Sequence, residues 1–189
     1  LNAILEAGAT AVFADISEDD FAINAQTVAA ALTDRSKVVM PVHLYGQMAP
    51  MAGIASLAAD RGLAIVEDAA QSHGATDEGR NAGTFGLGSF SFYATKNLTT
   101  GEGGMITTND PVLAEKSKLL RGHGAKPKYY HKIVGGNFRL DAVQAAVSEG
   151  RTESVSAWVN EALRRQVEHD VRMRALDEFL AAYETEHGA

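Results

Sequence analysis

The sequence predicts an α/β fold: a mostly parallel sheet flanked by helices, continued by a helical tail. Two observations predict it. Short apolar runs alternate with helical stretches at the spacing of βαβ units, an order that buries parallel strands between helices. The composition is that of an ordinary globular chain, with 189 residues, 46% hydrophobic and 22% charged. Such a chain is long enough to bury a core and too apolar for global disorder. At roughly 150 residues per domain it is one domain with an appendage.

The elements follow in order. Residues 1–8 read as the last turns of a helix stopped by Gly8. A domain seldom opens in mid-helix, so a chain truncated at its N-terminus is expected. Residues 11–16 read as a short buried strand and residues 25–32 as a helix. Residues 37–43 form a second strand with Pro41 near its end, followed by a turn at Tyr45-Gly46-Gln47. A helix over 51–61 is closed by Gly62, and a third strand, 63–67, puts Asp68 at its C-terminal end. Within the glycine-rich middle, 89–93 and 104–108 are strand candidates. Residues 111–121 form a helix with Pro111 at its start and Asp110 as N-cap. Residues 126–130 make a basic loop, and another helix begins at Asp141.

The texture changes near Ser154, after which glycine disappears until Gly188. Val155, Trp158, Val159, Ala162, Leu163 and Val167 fall on one helical face, and the pattern resumes at Leu176, Phe179, Leu180 and Tyr183. Two domains are therefore expected, a body over 1–150 and an amphipathic helical tail over 151–189.

Charge and residue usage exclude several functions. There are 17 Lys+Arg against 24 Asp+Glu, a net charge of −7, which argues against nucleic acid as a partner. The absence of cysteine excludes a disulfide framework and thiol catalysis, and fits a cytoplasmic location. No apolar run approaches the roughly 18 residues of a membrane span, so no membrane partner is expected. The histidines show no HxxxH or HExxH spacing, so no metal site is expected. His43 and His73, near strand ends, could line a site; His123 and His131 lie in loops that could touch a substrate.

Two segments carry chemistry. In Val66-Glu67-Asp68-Ala69-Ala70-Gln71-Ser72-His73-Gly74, a carboxylate stands at the C-terminal end of a strand, where open α/β sheets bind ligands. Read alone, Asp68 serves equally as the cap of a following helix. In Ser91-Phe92-Tyr93-Ala94-Thr95-Lys96-Asn97-Leu98, a lysine follows an apolar strand and precedes the turn Gly101-Glu102-Gly103-Gly104. Partial desolvation there would favour the neutral amine, a nucleophile or Schiff-base former; read alone, a single lysine in such a place is more often a surface lysine in a loop. Together they mean more. Pyridoxal phosphate needs an amine for its aldehyde, an acid beside its pyridine nitrogen and hydroxyl donors for its phosphate, and Lys96, Asp68 and Ser91 supply those three types.

On these motifs the chain resembles the DegT/StrS-type (DegT/DnrJ/EryC) sugar aminotransferases, within the fold-type I pyridoxal-phosphate enzymes. Further matches are Pro41-Val42-His43-Leu44-Tyr45-Gly46-Gln47, Arg121-Gly122-His123-Gly124 and Gly136-Asn137-Phe138-Arg139-Leu140-Asp141, in the family's order over roughly residues 1–148. The resemblance implies the large domain of a fold-type I transferase, with the family's phosphate loop and stacking aromatic falling before Leu1. It implies pyridoxal 5'-phosphate as cofactor and transfer of an amino group, from glutamate, to a keto-sugar nucleotide in amino-sugar or polysaccharide biosynthesis. By the same resemblance Lys96 would be the Schiff-base lysine and proton shuttle, and Asp68 would pair with the pyridinium nitrogen. Gln71 would contact the ring or its 3-hydroxyl, Ser91 would bind the phosphate, and Asn137 would reach the phosphate of the neighbouring subunit in a homodimer with shared sites. The alternative is a catalytically inactive fragment. Residues 152–189 are similar to small bacterial antitoxins, which implies a protein partner for the tail; a helix packed on the body is the rival expectation.

Overall fold

The computed structural model describes residues 1–138. The chain divides into two compact units, Leu1–Arg139 and Leu140–Ala189. The helix expected from Asp141 and the amphipathic tail of 151–189, with Trp158 and Leu163 on its apolar face, lie outside the described residues.

The described elements are, in order, α1 (Asn2–Glu6), α2 (Ala25–Ala31), β1 (Val38–Val39), α3 (Met51–Arg61), β2 (Ala64–Asp68), β3 (Thr76–Asp77), β4 (Arg80–Asn81), β5 (Leu87–Ser91), β6 (Gly104–Thr108) and α4 (Pro111–Arg121). Local chemistry explains their ends. Asn24 opens α2 with a capping box: its Oδ1 accepts the N–H groups of Gln26 and Thr27, and Thr27 Oγ1 accepts the Asn24 N–H. Gly62 closes α3 in the left-handed conformation, at φ 62°, which glycine adopts without steric cost. Asp110 Oδ1 caps α4 by accepting from Val112 at 2.7 Å and Leu113 at 3.2 Å.

Four strands form one sheet in the order β1-β2-β5-β6. The β1–β2 and β2–β5 pairs are parallel, and β5–β6 is antiparallel. The separate β3–β4 hairpin turns through Glu78 and Gly79, both at positive φ, as two-residue hairpin turns require.

The core lies on one face of the sheet. Met51, Ile54 and Ala58, one face of α3, are buried with Val28 of α2, Val39 of β1, and Met48 and Ala69. Full burial of a side chain such as Ile54 contributes about 1.5–3 kcal/mol. The second face differs from the expected two-sided cover. Along the β1 segment Val39, Pro41 and His43 are buried, whereas Val38, Met40 and Val42 are exposed, because no described element packs on them.

Three expected strands change. Residues 11–16 belong to no described strand, and Phe13 is 82% exposed; a strand needs a neighbour to pair with, and none is described there. The expected 37–43 strand shortens to Val38–Val39, with an isolated bridge between Val42 and Asp68. Pro41 has no N–H to give, and its carbonyl instead accepts the Asp68 N–H at 2.9 Å. The 89–93 candidate becomes Leu87–Ser91, followed by a bridge between Tyr93 and Gly101.

Candidate functional site

Because β1, β2 and β5 run parallel, their C-terminal ends share one edge of the sheet. Three connecting segments leave from that edge: 40–49 after β1, 69–74 after β2 and 92–103 after β5. A crevice at the carboxyl ends of parallel strands is the usual ligand position in such sheets. Here a cleft of about 300 Å³ is lined by Tyr45, Gly46, Gln71, Thr95, Lys96 and Asn97.

Each wall is set by backbone geometry. Tyr45 and Gly46 are both left-handed, at φ 54° and 83°, inside a turn closed by the Gln47 N–H on the Leu44 carbonyl. The Tyr45 N–H donates to Gln71 Oε1 at 3.1 Å, which joins the first wall to the second. Lys96 ends a turn in which its N–H donates to the Tyr93 carbonyl at 2.9 Å. That turn is pinned at Phe92, whose carbonyl accepts Thr99 Oγ1 and the Thr100 N–H. Lys96 is half-buried, and its Nζ has no hydrogen-bond or ion-pair partner among the described residues.

Asp68 ends β2, three residues before Gln71. Its Oδ1 accepts the Ala70 N–H at 3.1 Å in an Asx-type turn. No helix follows among residues 69–75, so the helix-cap reading of Asp68 does not hold. Ser91 ends β5 on the neighbouring strand, and its Oγ accepts the Tyr93 N–H at 3.3 Å. Neither lines the cleft itself. Asn137 stands apart, paired through its backbone with Gly122 just after α4. The structure thus brings Gln71 and Lys96 together in the cleft lining, sets Asp68 and Ser91 at the ends of adjacent strands, and pairs Asn137 with Gly122.

The sheet edge also carries a fully buried carboxylate that the sequence reading missed. Glu67 Oε2 accepts His43 Nε2 at 3.1 Å and the Gly83 N–H at 2.7 Å, while Oε1 accepts the N–H groups of Phe85 at 2.7 Å and Gly86 at 3.1 Å. Burial pushes this carboxyl up, but the hydrogen bonds from His43, Gly83 and Phe85 outweigh it and hold the group below the usual carboxylate range. His43 is therefore a core residue and does not line the cleft as the sequence reading allowed. His73 lies against Phe90 and Phe92, with ring centroids 5.5 and 5.9 Å away. His131 Nδ1 donates to the His123 carbonyl at 2.8 Å, a contact within the loop. Tyr45, Gly46, Thr95 and Asn97 were also unassigned; a strand followed by Tyr-Gly, and the two neighbours of Lys96, were the available signals.

An amine, a carboxylate, an amide and a hydroxyl at one sheet edge are the donor set that pyridoxal phosphate requires, so the residues present fit the group. Comparison with known proteins agrees. A family model described as the DegT/DnrJ/EryC1/StrS aminotransferase family matches residues 1–187. The chain belongs to the DegT/DnrJ/EryC1/StrS aminotransferase family. The match passes position 148, where the resemblance read from the motifs stops, and so covers most of the tail set apart as antitoxin-like.

Among relatives in this family, the chain is 48% identical to a pleiotropic regulatory protein of Geobacillus stearothermophilus over 84% of this chain and 43% of that protein. It is 45% identical to a GDP-perosamine synthase of Caulobacter vibrioides over 82% of this chain and 42% of that one. A solved aminotransferase from Psychrobacter cryohalolentis superposes with a TM-score of 0.75 at 38% identity, covering 80% of this chain and 42% of its own. The structure of ntda from Bacillus subtilis with bound cofactor PMP superposes with a TM-score of 0.71 at 34% identity, covering 77% and 34%. The chain spans about two-fifths of the length of the curated relatives it matches. Fold-type I architecture and pyridoxal-phosphate dependence belong to this family.

Proposed function

We propose that this chain carries the cofactor edge of a pyridoxal-phosphate-dependent aminotransferase acting on a keto-sugar nucleotide, with an amino acid, glutamate, as donor. The observation that carries the reading is Lys96, half-buried and unpartnered among the described residues, facing Gln71 across a cleft at the C-terminal edge of parallel strands. The GDP-perosamine synthase among its relatives supports a nucleotide-sugar substrate.

When bound, the cofactor supplies an electron sink for negative charge developing at the donor α-carbon. Lys96 Nζ is the amine that would hold the cofactor at its aldehyde and, once released as a free amine by the donor, would carry the proton to and from that carbon, a general acid–base role worth roughly 10²- to 10⁴-fold in rate. The Asp68 carboxylate keeps a proton on the pyridine nitrogen by its negative charge. The Gln71 amide, already oriented by the Tyr45 N–H, meets the ring or its 3-hydroxyl. Ser91 Oγ donates to the phosphate, and Asn137 reaches the phosphate of a partner subunit in a homodimer. The absence of cysteine and the sugar-nucleotide substrate favour the cytoplasm; among the described residues no helix is long and apolar enough to cross a membrane.

The test is an absorbance titration of the purified chain with pyridoxal phosphate, then borohydride reduction and peptide mapping. The reading expects one reduced adduct, on Lys96, and keto-sugar turnover with glutamate. Lys96→Ala should lose the adduct. Asp68→Asn should keep it and lose transamination. A reducible adduct that survives in Lys96→Ala, or adducts scattered over surface lysines, overturns the assignment and favours a chain without turnover of its own.

A further inference from the structure

The segment that carries Tyr45 and Gly46 into the cleft is closed by a side chain. His43 Nδ1 accepts the Ala49 N–H at 3.2 Å, and both residues are completely buried. A ring nitrogen that accepts carries no proton, so the proton sits on Nε2, which points at Glu67 Oε2 3.1 Å away. Glu67, with its other contacts all backbone N–H groups, can only accept there. One tautomer alone satisfies both contacts. The same residue holds β2 through its backbone: the His43 N–H donates to the Asp68 carbonyl at 2.9 Å, and the Asp68 N–H donates to Pro41.

The enclosed turn shows independently that it is held. Tyr45 is a non-glycine residue at φ 54°, a conformation that persists only where the surroundings over-determine it. Yet Tyr45 is 84% exposed, so its own packing does not hold it. The Gln71 contact fixes one side of the turn and the His43–Ala49 closure fixes its base.

We propose that His43 is a positioning residue: its ring, held in one tautomer by Glu67, closes the 43–49 loop and so sets Tyr45 and Gly46 opposite Lys96. That this cleft takes the cofactor rests on the function proposed above; the closure itself does not.

Two variants separate the two ring nitrogens. In His43→Asn, Oδ1 takes the place of Nδ1, keeping an acceptor for Ala49 and losing Glu67. In His43→Gln, the amide NH₂ reaches toward Glu67 and the loop acceptor is lost. Hydrogen exchange at the amides of 45–49 in the cofactor-free chain reads the loop, and the reduced adduct at Lys96 reads the cleft. Both variants should unfold at lower denaturant. His43→Asn should keep loop protection and near-normal pyridoxal-phosphate affinity. His43→Gln should lose protection and bind roughly 10- to 100-fold more weakly, the scale of a misplaced site wall. Equal exchange and equal affinity in the two variants would overturn the proposal and leave His43 as packing only. If the parent chain forms no Lys96 adduct while His43→Gln still loosens the loop, the cofactor reading fails and the closure stands. Should neither variant fold, the ¹⁵N shifts of His43 in the parent chain decide: a bare Nδ1 with protonated Nε2 supports the closure, and a protonated Nδ1 refutes it.

Discussion

Two glutamates with lowered pKa values behave oppositely at the residue scale. Glu67 is fully buried and met by four donors, three of them backbone N–H groups. Its carboxyl sits below the ordinary value of 4.5, so the unfolded chain takes up that proton first as pH falls from neutrality. The stabilisation is fully present above pH 4.5 and is lost as pH drops through the lower folded value. Glu67→Gln should cost about 1–3 kcal/mol at neutral pH, because an amide NH₂ then faces backbone donors. The variant should also lose part of the acid sensitivity: its urea midpoint should fall less than the parent's when pH is taken below 4.5. Parallel curves for parent and variant would remove Glu67 as the source. Glu115 is pulled down to about 2 by hydrogen bonds from Lys126 and Lys118, yet all three side chains are more than half exposed. Exposed pairs are screened by water and salt, so this cluster should leave stability almost unchanged.

For the elements, the close approach of β5 to its neighbours sets the tolerance to change. A Cβ at Gly88 would run into the Gly83 Cα and Thr107 Oγ1, and Gly83 is the residue whose N–H meets Glu67. Thr107 Oγ1 also donates to the Gly83 carbonyl at 2.7 Å. Gly88→Ala should therefore cost about 1–3 kcal/mol by overpacking and reach the Glu67 network as well. Asp110→Ala removes only an exposed cap and should cost about 1 kcal/mol; urea unfolding ranks the two, and the reverse order would contradict this packing. Legibility in the sequence followed the same division. The α4 helix, α3 with its Gly62 stop and the β6 strand were readable because their signals are local: a cap, a proline, a glycine, a short apolar run. The β3–β4 hairpin was not, since its strands are two residues long and carry no apolar alternation. Asp68 and Lys96 could be placed because strand ends are local features. The Glu67–His43 pair could not, because a carboxylate inside a strand reads as solvent-facing until its distant partners are seen.

At the scale of the whole molecule, Asn137 is not among the residues that line the cleft, and the role proposed for it calls for a second subunit. In a two-fold dimer each site would use its own Lys96 and the partner's Asn137. Loss of either residue should then be complementable between chains. Lys96→Ala alone should give no adduct, and Asn137→Ala alone should bind pyridoxal phosphate weakly. When the two variants are co-expressed, a mixed dimer has one site with both native residues and one with neither. Random pairing makes about half the dimers mixed, so about a quarter of all sites should recover tight binding. Size-exclusion chromatography establishes the dimer, and adduct formation at low pyridoxal phosphate counts the restored sites. Recovery near that fraction would place Asn137 across the interface. No recovery, with both parents dimeric and folded, would place its effect within its own subunit, where its backbone pairing with Gly122 anchors the segment after α4.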